Sequence, residues 1–216
     1  MEKNIIIQIK EKSDINKIIS QIIKNPEQIE NLINVVENEK GSIKFGCEKI
    51  LRLVSEQKPE LIYPYFDFFV KLLDNENKFL KWGAIITISN LAIKDNENKF
   101  EKIFEKYYAP IKGSVMVTAA NVVGNSDKII QAKPELKEKI IDKILEIEKA
   151  KYIHKGALSP ECKNVVCGHA IDTFEKIYNQ TLPPQKVIVF VKKQLKNSRD
   201  KVRKKAEKFI KRVNEN

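Results

Sequence analysis

The chain has 216 residues, 42% of them hydrophobic, and a net charge of +11, which suits one or two soluble domains. Seven glycines and eight prolines are too few for a sandwich or barrel with many tight turns. No segment approaches the ~18 apolar residues of a membrane span, and three cysteines without an export signal suit a reduced, cytoplasmic protein.

In chain order, residues 1–12 hold only the short apolar run Ile5–Ile6–Ile7 between charges. The pattern then predicts a leading helix near 14–24 and five helix pairs, roughly over 26–56, 59–94, 97–125, 134–178 and 184–213. Proline punctuates these segments at Pro26, Pro59, Pro134 and Pro183–Pro184, each ahead of an apolar pattern of helical period. The first helical turn tolerates proline because its missing N–H has no partner to lose. Lys58–Pro59–Glu60–Leu61 recurs as Lys133–Pro134–Glu135–Leu136, with a glutamate suited to the positive helix start. Polar turns such as Asp74–Asn75–Glu76–Asn77 and Lys196–Asn197–Ser198 separate the helices within a pair, and Asp95 to Asn98 separates two pairs. Short connections predict antiparallel helices within each pair.

The second helices share a motif of an apolar residue followed by a small one: Ile43 to Cys47, Leu80 to Ala84, Met116 to Ala120, Val166 to Ala170 and Val202 to Ala206. Their first residues are 37, 36, 50 and 36 apart, a period that marks stacked supersecondary units. The small residues Gly46, Gly83, Ala119 and Ala206 are expected to let a neighbouring helix approach, and a bulky replacement to disrupt stacking.

The stretch Leu195 to Ala206 resembles the turn and second helix of a HEAT repeat, and Leu72 to Ala84 is similar. Val117 and Cys167 stand where that family usually has a basic residue, and the fourth unit carries an insertion of about a dozen residues. The resemblance spans about residues 26–213. It implies an all-α, right-handed α–α superhelix, a solenoid of about five HEAT-like pairs in a single domain over 1–216, with an N-terminal cap (1–25), repeats 1–4 (26–183) and a basic C-terminal repeat (184–216). It also implies a concave surface lined by second helices and no single activity.

Charge is concentrated at the C-terminal end. From Lys186 to Arg212 there are twelve Lys or Arg and two acidic residues. Arg199, Arg203, Lys204 and Lys205 are candidates to bind a partner, nucleic acid through its phosphates or an acidic protein. A wet polar cap on a terminal repeat explains the same charge. Lys44, Lys81 and Arg203 hold equivalent places at three second-helix starts and are predicted to form a discontinuous basic stripe. Trp82, beside Gly83, either fills the stack or lines the concave surface, with burial favoured. Tyr63, Tyr65, Phe66, Phe68 and Phe69, around a kinking Pro64, are expected to pack on the convex side, the alternative being a partner groove with an exposed aromatic anchor.

His154, Cys162, Cys167 and His169 offer the soft ligands that zinc prefers. Cys162 and His169 share a helix face, but Cys167 points elsewhere and no short paired-ligand turn occurs, so no metal or cofactor is assigned. Ser159–Pro160–Glu161 reads as a helix start. There is no glycine-rich phosphate loop, His-Glu-x-x-His or nucleophile elbow, and no catalytic residue is assigned. The expectation is a monomeric, non-enzymatic scaffold that binds a protein partner, with no membrane partner. The alternative is a DNA-binding or DNA-repair protein resembling the alkylpurine glycosylases built from HEAT-like repeats. This chain has one tryptophan and no counterpart of their lesion-binding clusters.

Overall fold

A computed structural model describes residues 4–178 and 181–215. The protein is all-α apart from one small hairpin among the described residues. The chain divides into two compact units, Met1–Glu101 and Lys102–Asn216.

In the first unit, α1 (Ile5–Lys10) and α2 (Ile15–Lys24) precede the first predicted pair. Each starts on a side-chain cap: Asn4 accepts from Ile6 N–H at 2.8 Å, and Asp14 from Asn16 N–H at 2.9 Å. The pair α3 (Gln28–Asn38) and α4 (Ile43–Gln57) follows, and α1, α2 and α3 all pack against α4. The next first helix is broken at Pro64 as expected, into α5 (Pro59–Ile62), a 3-10 turn (Tyr63–Tyr65) and α6 (Phe66–Leu72). The second helix of that pair, α7 (Lys78–Leu91), packs on α4 and α6. Asn77 caps it, accepting from Phe79 N–H at 3.0 Å. Phe66 and Phe69 are fully buried, whereas Tyr63, Tyr65 and Phe68 are half-buried.

The start of the following helix, α8 (Lys99–Tyr108), is built by Asp95. One Asp95 oxygen accepts from Lys99 N–H and from the Tyr63 hydroxyl, at 2.8 and 2.7 Å, and the other accepts from Phe100 N–H at 2.8 Å. Asn98 adopts a left-handed φ of 54° in this turn.

In the second unit, α9 (Met116–Gly124) is followed after one residue by a short helix absent from the sequence expectation, α10 (Ser126–Ala132). Ser126 explains it: its buried hydroxyl donates to Val122 C=O at 2.9 Å and lies 3.2 Å from the Tyr108 hydroxyl. The fourth pair is α11 (Lys137–Leu145) and α12 (Pro160–Ile177), the fifth α13 (Gln185–Gln194) and α14 (Asp200–Glu215). Helix α12 packs on α9 on one side and α14 on the other. The expected insertion between α11 and α12 is a two-stranded antiparallel hairpin, β1 (Ile153–His154) and β2 (Ala157–Leu158).

The small residues sit where helices approach most closely. A Cβ on Gly46 would fall 2.6 Å from Ile9 of α1, and one on Gly168 would fall 3.2 Å from Val202 of α14. Ala119 and Ala206 are fully buried.

Candidate functional site

Helix α7 begins with an exposed aromatic. Phe79 lies one position inside the helix, held there by the Asn77 cap, and is 66% exposed, the highest value among the exposed large hydrophobic side chains described. Its ring meets Phe45 of α4 at 6.1 Å and Trp82 at 5.4 Å, both edge to face. Phe79 and Trp82 are three residues apart and so share a helix face, while Phe45 comes from the first turn of the packed helix. The result is an aromatic platform across the starts of α4 and α7. Trp82 is half-buried, with its ring against Phe79, so it is neither stack filling alone nor fully presented.

Lysines flank the platform. The Lys44 ammonium lies 5.5 Å from the Phe45 ring centre, an attractive cation–π geometry. Lys81 adjoins Trp82, about 100° round the helix. Neither lysine pairs with a carboxylate among the described residues, although both are half-buried. The packed helices α4 and α7 also bury polar groups. Glu48 lies under Gly83, Arg52 approaches Glu48 at 3.7 Å, and Asn90 donates to the Ser55 hydroxyl at 2.9 Å. Burial pushes the Glu48 carboxyl up to about 7, with Arg52 opposing.

Arg203, the third member of the predicted stripe, belongs to the other unit. Its guanidinium bonds Asp200 at 2.9 Å and the carbonyls of Asn197 and Ser198, closing the turn before α14. The other C-terminal candidates are also engaged: Arg199 with Glu161, Lys204 with Asp200, and Lys205 with Asp172. Of the twelve cations from Lys186 to Arg212, eight make ion pairs among the described residues, including bonds to Glu138, Asp142, Glu148, Glu161, Asp172 and Glu175 on or between α11 and α12. Much of the local charge therefore seats the last helix pair on the one before it. Lys192, Lys196, Lys201 and Lys208 are exposed without such a partner among the described residues.

The four soft ligands do not converge. His154 is exposed on the hairpin, and Cys162 and Cys167 are buried in α12. His169 faces Gly124 across a groove of about 350 Å³ between α9 and α12, with Val117 and Asn121 also on its wall. Burial, with Lys205 adding to it, holds the His169 imidazole below its usual value. Burial pushes the Cys47 and Cys167 thiols up to about 11, the opposite of an activated nucleophile. No group of three or more His, Cys, Asp or Glu placed to hold a metal occurs among the described residues.

The sequence pointed to Lys44, Lys81 and Trp82 but missed Phe45 and Phe79. The signal available was the aromatic two positions after the Asn77 cap, before the apolar face of the helix is established.

No family model matches the chain, and no solved structure matches it. Over 94 residues it is 23% identical to an uncharacterized protein of Methanocaldococcus jannaschii, a match covering 44% of this chain and 45% of that protein. The chain thus aligns with less than half the length of that relative.

Proposed function

We propose that the protein is a non-enzymatic, HEAT-like α–α superhelical scaffold, monomeric and cytoplasmic, that binds a protein partner on the surface lined by its second helices. The observation that carries this reading is the Phe45–Phe79–Trp82 platform between Lys44 and Lys81. Interface centres are enriched in aromatic residues, and an exposed ring already packed between two others loses little side-chain entropy on binding. The side-by-side packing of α4 with α7, and of α9, α12 and α14, supports stacked repeats in each unit. Raised cysteine thiols and dispersed histidines supply no nucleophile–base pair.

The DNA-binding or DNA-repair reading rests on the C-terminal charge, and the ion pairs to α11 and α12 favour the scaffold over it. Quantitative affinity capture from source-cell extract, with wild type against Phe79→Asp and Trp82→Ser, tests the proposal. A defined set of proteins retained by wild type and lost by both variants supports it. Identical protein profiles for all three baits would refute it.

A further inference from the structure

The hairpin between α11 and α12 has a rigid root. Tyr152, 1% exposed, donates its hydroxyl to Ile111 C=O at 2.8 Å. Ile153 N–H bonds Ser114 C=O and Ser159 N–H bonds Tyr152 C=O, each at 2.9 Å, and Ser159 then caps α12. The reversal uses Lys155 and Gly156 with φ of 49° and 81°, two consecutive left-handed residues, the geometry that favours glycine and suits a two-residue hairpin.

From this root the hairpin carries chemistry of one kind. Ile153 and Leu158 are registered partners across the strands, so their side chains lie on one face, and they are 41% and 61% exposed. Lys149, Lys151, Lys155 and His154 are exposed around them, and residues 149–160 contain no acid. The carboxylates that bracket the hairpin are both occupied by the C-terminal pair: Glu148 by Lys193 at 2.7 Å, and Glu161 by Arg199. Asn164, in the first turns of α12, bonds Ser198 and Asn197, which brings exposed Lys196 of that turn, and exposed Lys201 in the first turn of α14, toward the same end of α12.

We propose that this end of the second unit is a peripheral contact for an anionic membrane surface, with Ile153 and Leu158 entering the headgroup boundary and the lysines facing the lipid charge. A stereospecific protein partner is read by donors and acceptors, and the two hydroxyls from Lys149 to Pro160, those of Tyr152 and Ser159, are both spent inside the fold. Exposed aliphatics among point charges suit a diffuse anionic surface, where apolar contact and charge add. The aliphatic pair favours lipid over a phosphodiester backbone, to which charge alone would suffice. Contact of this kind needs no spanning helix, and no helix among the described residues is long and apolar enough to cross a membrane.

The test is co-sedimentation of the full chain with phosphatidylcholine vesicles, with and without about 30% phosphatidylserine, at low and physiological salt. Binding should require phosphatidylserine, weaken with salt, and fall about tenfold both in Ile153→Asp with Leu158→Asp and in Lys149→Glu with Lys155→Glu. Thermal midpoints should be unchanged, since all four side chains are exposed; Lys155→Glu alone gives a milder variant that should fall in the same direction. Absence of binding to the serine-containing vesicles, or binding untouched by the aspartate pair, would overturn the proposal. So would tight binding to duplex DNA without vesicle binding, which would assign the charge to nucleic acid.

Discussion

At Gly83 the α4–α7 contact has no room for a methyl group: a Cβ there would lie 1.8 Å from Glu48 Oε1. Gly83→Ala should therefore displace the Glu48 carboxylate and destabilise the fold by about 1 kcal/mol in chemical unfolding, because the clash is with the end of a flexible side chain and alanine offsets part of it through helix propensity. Glu48→Ala in the same chain should recover part of that loss, a coupling that a double-mutant cycle reads directly. Glu48 also makes stability depend on pH. Its Oε1 is buried without a hydrogen-bond partner among the described residues, and its carboxyl is pushed up to about 7 in the fold against an ordinary 4.5. Ionisation is thus disfavoured in the folded state, so the contribution of the protonated carboxyl is complete below about 4.5 and is lost as pH rises through about 7. Glu48→Gln should exceed wild type by about 2–3 kcal/mol at pH 8, and the difference should disappear near pH 4.5. A constant difference across that window would show that Glu48 does not titrate there.

Among the elements, α8 depends most visibly on one side chain. Asp95 joins the first two N–H groups of that helix to the Tyr63 hydroxyl, and burial together with the Asp95 bond pushes the Tyr63 phenol up. Asp95→Ala should cost about 1–3 kcal/mol, the sum of a lost cap and a half-buried hydroxyl without its acceptor. Hydrogen exchange should show early loss of protection over the first turn of α8. Protection equal to wild type would contradict that role. Phe79→Ala should leave the thermal midpoint nearly unchanged, because the ring is mostly in solvent, while removing partner capture. The helices with strong local signals were legible in the sequence: Pro59 at a first turn, Pro64 at a break, and Ser159 and Pro160 at the start of α12. Helix α1 was not, because six residues carry too little periodicity to separate from a short apolar run, and it is held by tertiary contact of Ile9 with Gly46. The hairpin was not legible either: two strands of two residues have no alternation to read. Asp95 looked like part of a polar spacer because its partners Tyr63 and Phe100 lie in different helices.

At the scale of the molecule, the +11 charge has two distributions that sequence cannot separate. Composition places the excess in the last pair, but the acids that meet it from α11 and α12 lie some 33 to 48 residues earlier, and such non-local pairing has no local signal. Lys44 and Lys81, by contrast, stand beside aromatic rings without a carboxylate partner among the described residues. The scaffold reading therefore rests on the α4–α7 platform more than on the basic C-terminus, although the sequence gives greater prominence to the latter. Site-specific photo-crosslinking tests this most directly, with a benzophenone amino acid replacing Phe79, or replacing the equally exposed Ile93 as control, in the full chain within source-cell extract. The account predicts a discrete protein adduct from position 79, absent from position 93 and lost when Trp82 is also changed to serine. No adduct from position 79, or the same adducts from both positions, would contradict it.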